Sequence, residues 1–251
     1  MSDNAIGLLV LVCIFGASLL GLLLRRALSP HHLSADTKDA VKLGMGLVGT
    51  MAALILGLLV AAAKSSYDTE KSEVIQMAAK IAFLDRMLAN YGPESADTRV
   101  SLRRTVEGAV RRMWPEERST HAQLDPTGSG TEELYNAIQK LTPKNDLQHA
   151  LKSQAGGVAS DLAQLRWLLF EQSGSSISMP LLIVVISWLA IIFLSWGLFA
   201  PMNSVAIASL FMAALSVSGA IFLILELDQP FDGLIQISSR PMRNALVHLG
   251  K

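Results

Sequence analysis

Four stretches of this 251-residue chain contain none of its 21 Lys+Arg or 21 Asp+Glu residues: positions 5–24, 43–63, 181–200 and 203–225. Each is close to the ~20 apolar residues with which an α-helix crosses a ~30 Å hydrocarbon core. A helix that is apolar on every side belongs inside a large protein core or in a membrane, and four in so short a chain predict membrane spans. The mean hydropathy of +0.41 and the 51% hydrophobic content agree. The first run does not read as a signal peptide, because only Asp3 precedes it and Arg25–Arg26 stands where a small-residue cleavage site would lie. A single cysteine, Cys13, supports neither a disulfide framework nor a cysteine metal site.

The pattern predicts an all-α membrane protein with a helical extramembrane domain between the second and third spans. Its divisions are 1–63 (two spans and their loop), 64–179 (the extramembrane domain), 180–226 (a membrane hairpin turning at Pro201–Met202) and 227–251 (a tail). No Gly or Pro interrupts 64–90, so the second span is expected to run on as a rigid helix, with Val74, Met77, Ala78, Ile81, Leu84 and Leu88 at helical spacing and Gly92–Pro93 as its stop. A second helix follows from Ser95 to Trp114–Pro115, with Leu102, Val106, Ala109 and Met113 as its stripe. Ser129 and Glu132 offer a capping box for a short third helix, and Thr142–Pro143 restarts a longer one that Gly156–Gly157 weakens. In the tail, Ser238 or Ser239 caps a short amphipathic helix with Met242, Ala245, Leu246 and Leu249 on one face, to lie at the membrane interface or dock on a neighbouring helix.

The loop between the first two spans carries Arg25, Arg26, Lys38 and Lys42. The other side carries Lys64, Lys71, Lys80, Arg166, Arg240 and Arg243 near the spans, which favours cytoplasmic termini and a cytoplasmic central domain.

The second span has two faces that bear on function. Gly46, Thr50, Ala53 and Gly57 form a small-residue row suited to close helix packing in lipid. Leu47, Met51, Leu54 and Leu58 form a bulky row, which either meets lipid or, in an oligomer, lines a pore and constricts it. No span contains an ionisable residue, which disfavours a proton pump or a voltage sensor. Arg99, Arg103, Arg104, Arg111 and Arg112 form a basic row on the second extramembrane helix. They either concentrate anions at a vestibule or form a solvated face partnered by Glu94, Asp97, Glu107, Glu116 and Glu117. Glu226, Asp228 and Asp232 bracket Pro230–Phe231 as the last span ends. They are candidate metal ligands or simply a polar helix exit, since calcium needs six to eight oxygens. His31, His32, His121, His149 and His248 match no catalytic or zinc spacing and no phosphate loop occurs, so neither an enzyme nor a cofactor is expected.

The segments "LDRMLANYGPE", "LRWLLFEQ", "LSWGLFAPMN", "SGAIFLILELDQPFDGLIQIS" and "RPMRNALVHLG" resemble bacterial integral-membrane proteins described as bestrophin-like, over nearly the whole chain. The resemblance implies a multi-pass protein of the bacterial inner membrane and a homo-oligomer, with a pentamer the expected assembly. It also implies an ion path lined by the second helix and conduction of small ions, anions above all. In bestrophins a Pro-Phe-Gly leads into a dense acidic run that binds calcium. Here Pro230–Phe231 is followed by Asp232–Gly233 and then by apolar and neutral residues, and the second span has no Phe to supply an aromatic neck. The expected partners are the lipid bilayer, small ions and further copies of the chain, with no nucleic acid. The competing reading is a non-conducting sensory or interaction scaffold.

Overall fold

A computed structural model describes residues 3–28, 34–115, 122–124, 130–172, 174 and 177–250, and among them every regular element is helical. In order these are α1 (Asp3–Ala27), α2 (Ala35–Tyr91), a 3-10 turn (Pro93–Ser95), α3 (Ala96–Met113), α4 (Gly130–Gln139), α5 (Asp146–Gln172), α6 (Met179–Phe199), α7 (Ser204–Leu227) and α8 (Arg240–His248). Helices α1, α2, α6 and α7 are long and apolar enough to cross a membrane. The chain divides into two units, Met1–Ser66 with Ser176–Asp228 and Tyr67–Ser175 with Gln229–Lys251.

In the first unit α1 packs along α6 and against α7, whereas α6 and α7 meet at few points despite the short link between them. The reason is the closeness of α1 to α6. A Cβ on Gly21 would collide with the Leu194 carbonyl oxygen, and one on Gly197 with that of Ser18. Glycine on both helices lets the backbones approach as small residues do in lipid, where dispersion rather than water expulsion holds helices together. On the other side of α1 the buried Ser218 hydroxyl of α7 donates to the Gly7 carbonyl at 2.6 Å. Val10, Ile14, Leu59, Val185, Phe193, Ala214, Ile221 and Ile224 are among the residues filling the core between these helices. At one end Arg25 Nη1 donates to the Ala200 carbonyl, and the Asn203 side chain caps α7 by accepting from the Ala206 N–H at 2.7 Å.

The second unit is built on the continuation of α2, whose Val74, Met77, Ile81, Leu84 and Leu88 are buried. It stops at Gly92, where φ is 121°, a value open to glycine and strained for any L side chain. The last carbonyls of α2 are satisfied by side chains: Gln148 Nε2 donates to Tyr91 O at 2.9 Å, and the Ser95 hydroxyl to Leu88 O at 2.5 Å. Helix α3 buries Leu102, Val106, Val110 and Met113, with Val110 rather than Ala109 completing the stripe. Helix α5 runs unbroken through Gly156–Gly157, and Gly156 is buried where a Cβ would press on Gln139 Nε2 at 3.3 Å. Ser129 lies outside the described residues, as do Glu116, Glu117, His31, His32 and His121.

The tail belongs to this second unit. Helix α8 packs on α3, with Met242 and Ala245 buried, and Ser239 makes no side-chain cap. The segment leading to it is fastened as well. Trp114 Nε1 donates to the Ile237 carbonyl at 2.8 Å, Asp232 Oδ1 accepts from the Ala122 N–H at 3.0 Å, and the Trp114 and Phe231 rings meet edge on at 5.9 Å.

Candidate functional site

Within the first unit α2 packs through Ala52, Leu59 and Ala63. Leu47, Met51, Leu54 and Leu58, at i, i+4, i+7 and i+11, lie on another side and remain 66%, 44%, 70% and 63% exposed. The small-residue row is exposed too: a Cβ on Gly46 or Gly57 meets nothing within 4 Å, and Ala53 and Thr50 are uncovered. The Thr50 hydroxyl is satisfied by its own helix, donating to Gly46 O at 2.9 Å. A single chain therefore leaves both rows of this helix open.

The five arginines of α3 do not act alike. Arg99 grips Asp85 with two hydrogen bonds of 2.8 Å, from Nε to Oδ1 and from Nη2 to Oδ2. Asp85 is 6% exposed and also accepts the Gly250 N–H at 3.3 Å. The hydrogen bonds to Asp85 hold the Arg99 guanidinium charged more firmly than usual, against the opposing effect of burial. Arg103 pairs with Glu107 at 3.1 Å and donates to Leu249 O at 3.3 Å. Arg104 and Arg111 are exposed, and Arg112 shares a small surface depression with Arg166. Of the acids expected to partner this row, Glu94 pairs instead with Lys144 at 2.6 Å, and that hydrogen bond holds its carboxyl below the usual range.

Glu226 and Asp228 are buried at the end of α7, where the Asp228 N–H closes the helix on Ile224 O and Leu225 O. Asp232 is occupied with the backbone of Ala122. Among the described residues no group of three or more His, Cys, Asp or Glu side chains is placed to hold a metal ion.

Two buried acids escaped the sequence reading. Glu70 and Glu73, 2% and 6% exposed, continue the buried stripe of α2 upstream of Val74 and Met77. Burial pushes the Glu73 carboxyl above its ordinary value, a hydrogen bond with Gln172 opposes the shift, and Oε2 of Glu73 has no partner. Stepping the stripe back by three or four positions would have found both.

Four apolar spans, a long helix shared between two units and a docked tail define a class, the all-α multi-span membrane proteins. The Bestrophin-like domain family matches residues 12–242, and the chain belongs to that family. The fold is similar to crystal structures of a bacterial Bestrophin homologue from Klebsiella pneumoniae. One variant gives a TM-score of 0.71 at 16% identity, covering 100% of this chain and 99% of that one. Another gives 0.68 at 18% identity, covering 97% and 99%. A further crystal structure, described as a membrane protein, gives 0.67 at 15% identity, covering 97% and 98%. No curated protein matches the chain.

Proposed function

We propose that this protein is an oligomeric ion channel of the bacterial inner membrane, with preference for anions, whose pore is lined by the membrane half of α2. Family membership supports a membrane ion channel in general. The observation that carries the finer reading is the row Leu47, Met51, Leu54 and Leu58, open along one side of a spanning helix. Copies arranged with this row inward would form an apolar constriction that admits ions only when wetted. Arg104 and Arg111, exposed on α3, would supply the positive field that favours anions on a cytoplasmic side. Glu226, Asp228 and Asp232 are assigned to ending the last span rather than to calcium.

The test is ion flux through purified protein in liposomes or planar bilayers. The unaltered chain is expected to pass a selective current, and Leu54→Ser to raise it by roughly tenfold, as for a barrier lowered by ~1.4 kcal/mol. Arg104→Gln with Arg111→Gln is expected to shift the reversal potential toward cations. No selective current at any pH, calcium level or voltage, from an intact oligomer, would leave the non-conducting scaffold as the better account.

A further inference from the structure

Beside the exposed rows of α2 lies an apolar groove of about 600 Å³, walled by α2, α6 and α7 of the first unit. Its floor and sides include Gly49, Ala53, Leu56, Ile192 and Phe193, and its volume falls in the ~300–1,000 Å³ range of small-molecule sites. It is asymmetric in charge. Lys42, Trp196 and Ala200 line one end, and the Ala200 carbonyl there holds the Arg25 guanidinium. Lys42 meets Asp39 at 3.5 Å with both side chains well exposed, a contact too long and too wet to neutralise that end. Toward Leu56 and Leu189 the lining is wholly apolar.

Length and surroundings narrow the occupant. From Lys42 to Leu56 the groove follows α2 for ~21 Å, at 1.5 Å per residue. One leaflet of the hydrocarbon core is ~15 Å deep, so the groove can hold a chain that begins in the interface and ends near the midplane. A cation at the interfacial end beside a tryptophan is the arrangement that meets lipid headgroups. A span from a second copy would fill the apolar part but, carrying no charge, would bring no anion to Lys42 and Arg25.

We propose that this groove binds a phospholipid of the surrounding bilayer, its phosphate held at Lys42 and Arg25 and one acyl chain laid against Gly49, Ala53 and Leu56. The site is independent of whether the protein conducts.

The test measures phospholipid retained per chain by the full-length protein after extensive detergent washing, by phosphate assay and native mass spectrometry. A Cβ on Gly49 meets only Ile192 Cδ1, at 3.9 Å, so Gly49→Leu fills the groove without a backbone clash; Gly16, with nothing within 4 Å and outside the groove, serves as the control. Expected is stoichiometric retention by the unaltered chain and by Gly16→Leu, with a loss of about tenfold in Gly49→Leu and a smaller loss in Lys42→Gln. Equal retention in Gly49→Leu, or no retained lipid in the unaltered chain, overturns the site. So does a change of oligomeric state in Gly49→Leu with lipid retention unchanged, because a second copy then occupies the groove. A measurement on the unaltered chain removes any dependence on folding of the variants. In vesicles of phosphatidylcholine and phosphatidylglycerol containing a diazirine-tailed phosphatidylglycerol, photoadducts are expected to concentrate on Ala52, Ala53, Leu56 and Leu189. Absence of adducts at these four positions counts against the proposal.

Discussion

Two acids of the second unit show opposite solutions to the same problem. Asp85 is buried and fully engaged, by Arg99 and by the Gly250 N–H, whereas Glu73 is buried with one oxygen unpartnered. Removing the partner of a buried charge is costly, so Asp85→Ala is expected to lose about 3 kcal/mol, a drop of roughly 6–12 °C in thermal unfolding. Amide exchange in α8 should quicken at the same time, because the clamp on Gly250 is gone. At Glu73 the sign reverses. Burial raises its pKa above the ordinary 4.5, so the folded chain binds this proton more tightly than the unfolded chain does. Its contribution to stability is therefore fully present below pH 4.5 and is lost as pH rises through the raised value. Glu73→Gln is expected to gain about 1 kcal/mol at neutral pH, or ~2–4 °C, and almost nothing at pH 4. An equal gain at both pH values would show that packing, not titration, sets the effect.

At the scale of elements, what was legible in the sequence is what a single helix records about itself. The continuation of α2 beyond its apolar span to Tyr91 followed from the absence of Gly and Pro over 64–90, and the end of α3 from Trp114–Pro115. Properties that belong to pairs of helices were not legible. Gly21 and Gly197 matter because they face one another across 176 positions, and nothing in the local pattern separates Gly21 from Gly16 on the same helix. The pairing of Arg99 with Asp85, across the turn at Gly92, was hidden in the same way, since Glu94 and Asp97 lay closer in sequence. The exposed rows of α2 were readable as rows, but periodicity does not say which row a neighbouring copy would cover. Gly197→Leu tests the pairwise argument. Forcing α1 from α6 is expected to cost about 1–3 kcal/mol and to lower thermal stability in detergent, with a smaller effect from Gly16→Leu.

At the scale of the whole molecule, the tail is a structural part of the second unit rather than an appendage. Residues 229–250 supply Phe231, Ile237, Met242, Ala245 and Leu249 to its core and receive hydrogen bonds from Trp114 and Arg103. Deleting 229–251 is expected to abolish cooperative unfolding of α3 and α8's neighbours, read as loss of slow hydrogen exchange over 96–113, while α1, α6 and α7 keep their protection. The Trp114 to Ile237 bond also imposes an order of events during synthesis. Its partners are 123 residues apart, so at ~5–20 residues per second a ribosome needs roughly 6–25 s to deliver the second after the first. Throughout that interval two further apolar spans must be made and inserted while Trp114, Arg103 and the stripe of α3 wait without their cover. The half-built unit is thus the stage at which a nascent chain of this kind is most open to chaperones, proteases and wrong partners.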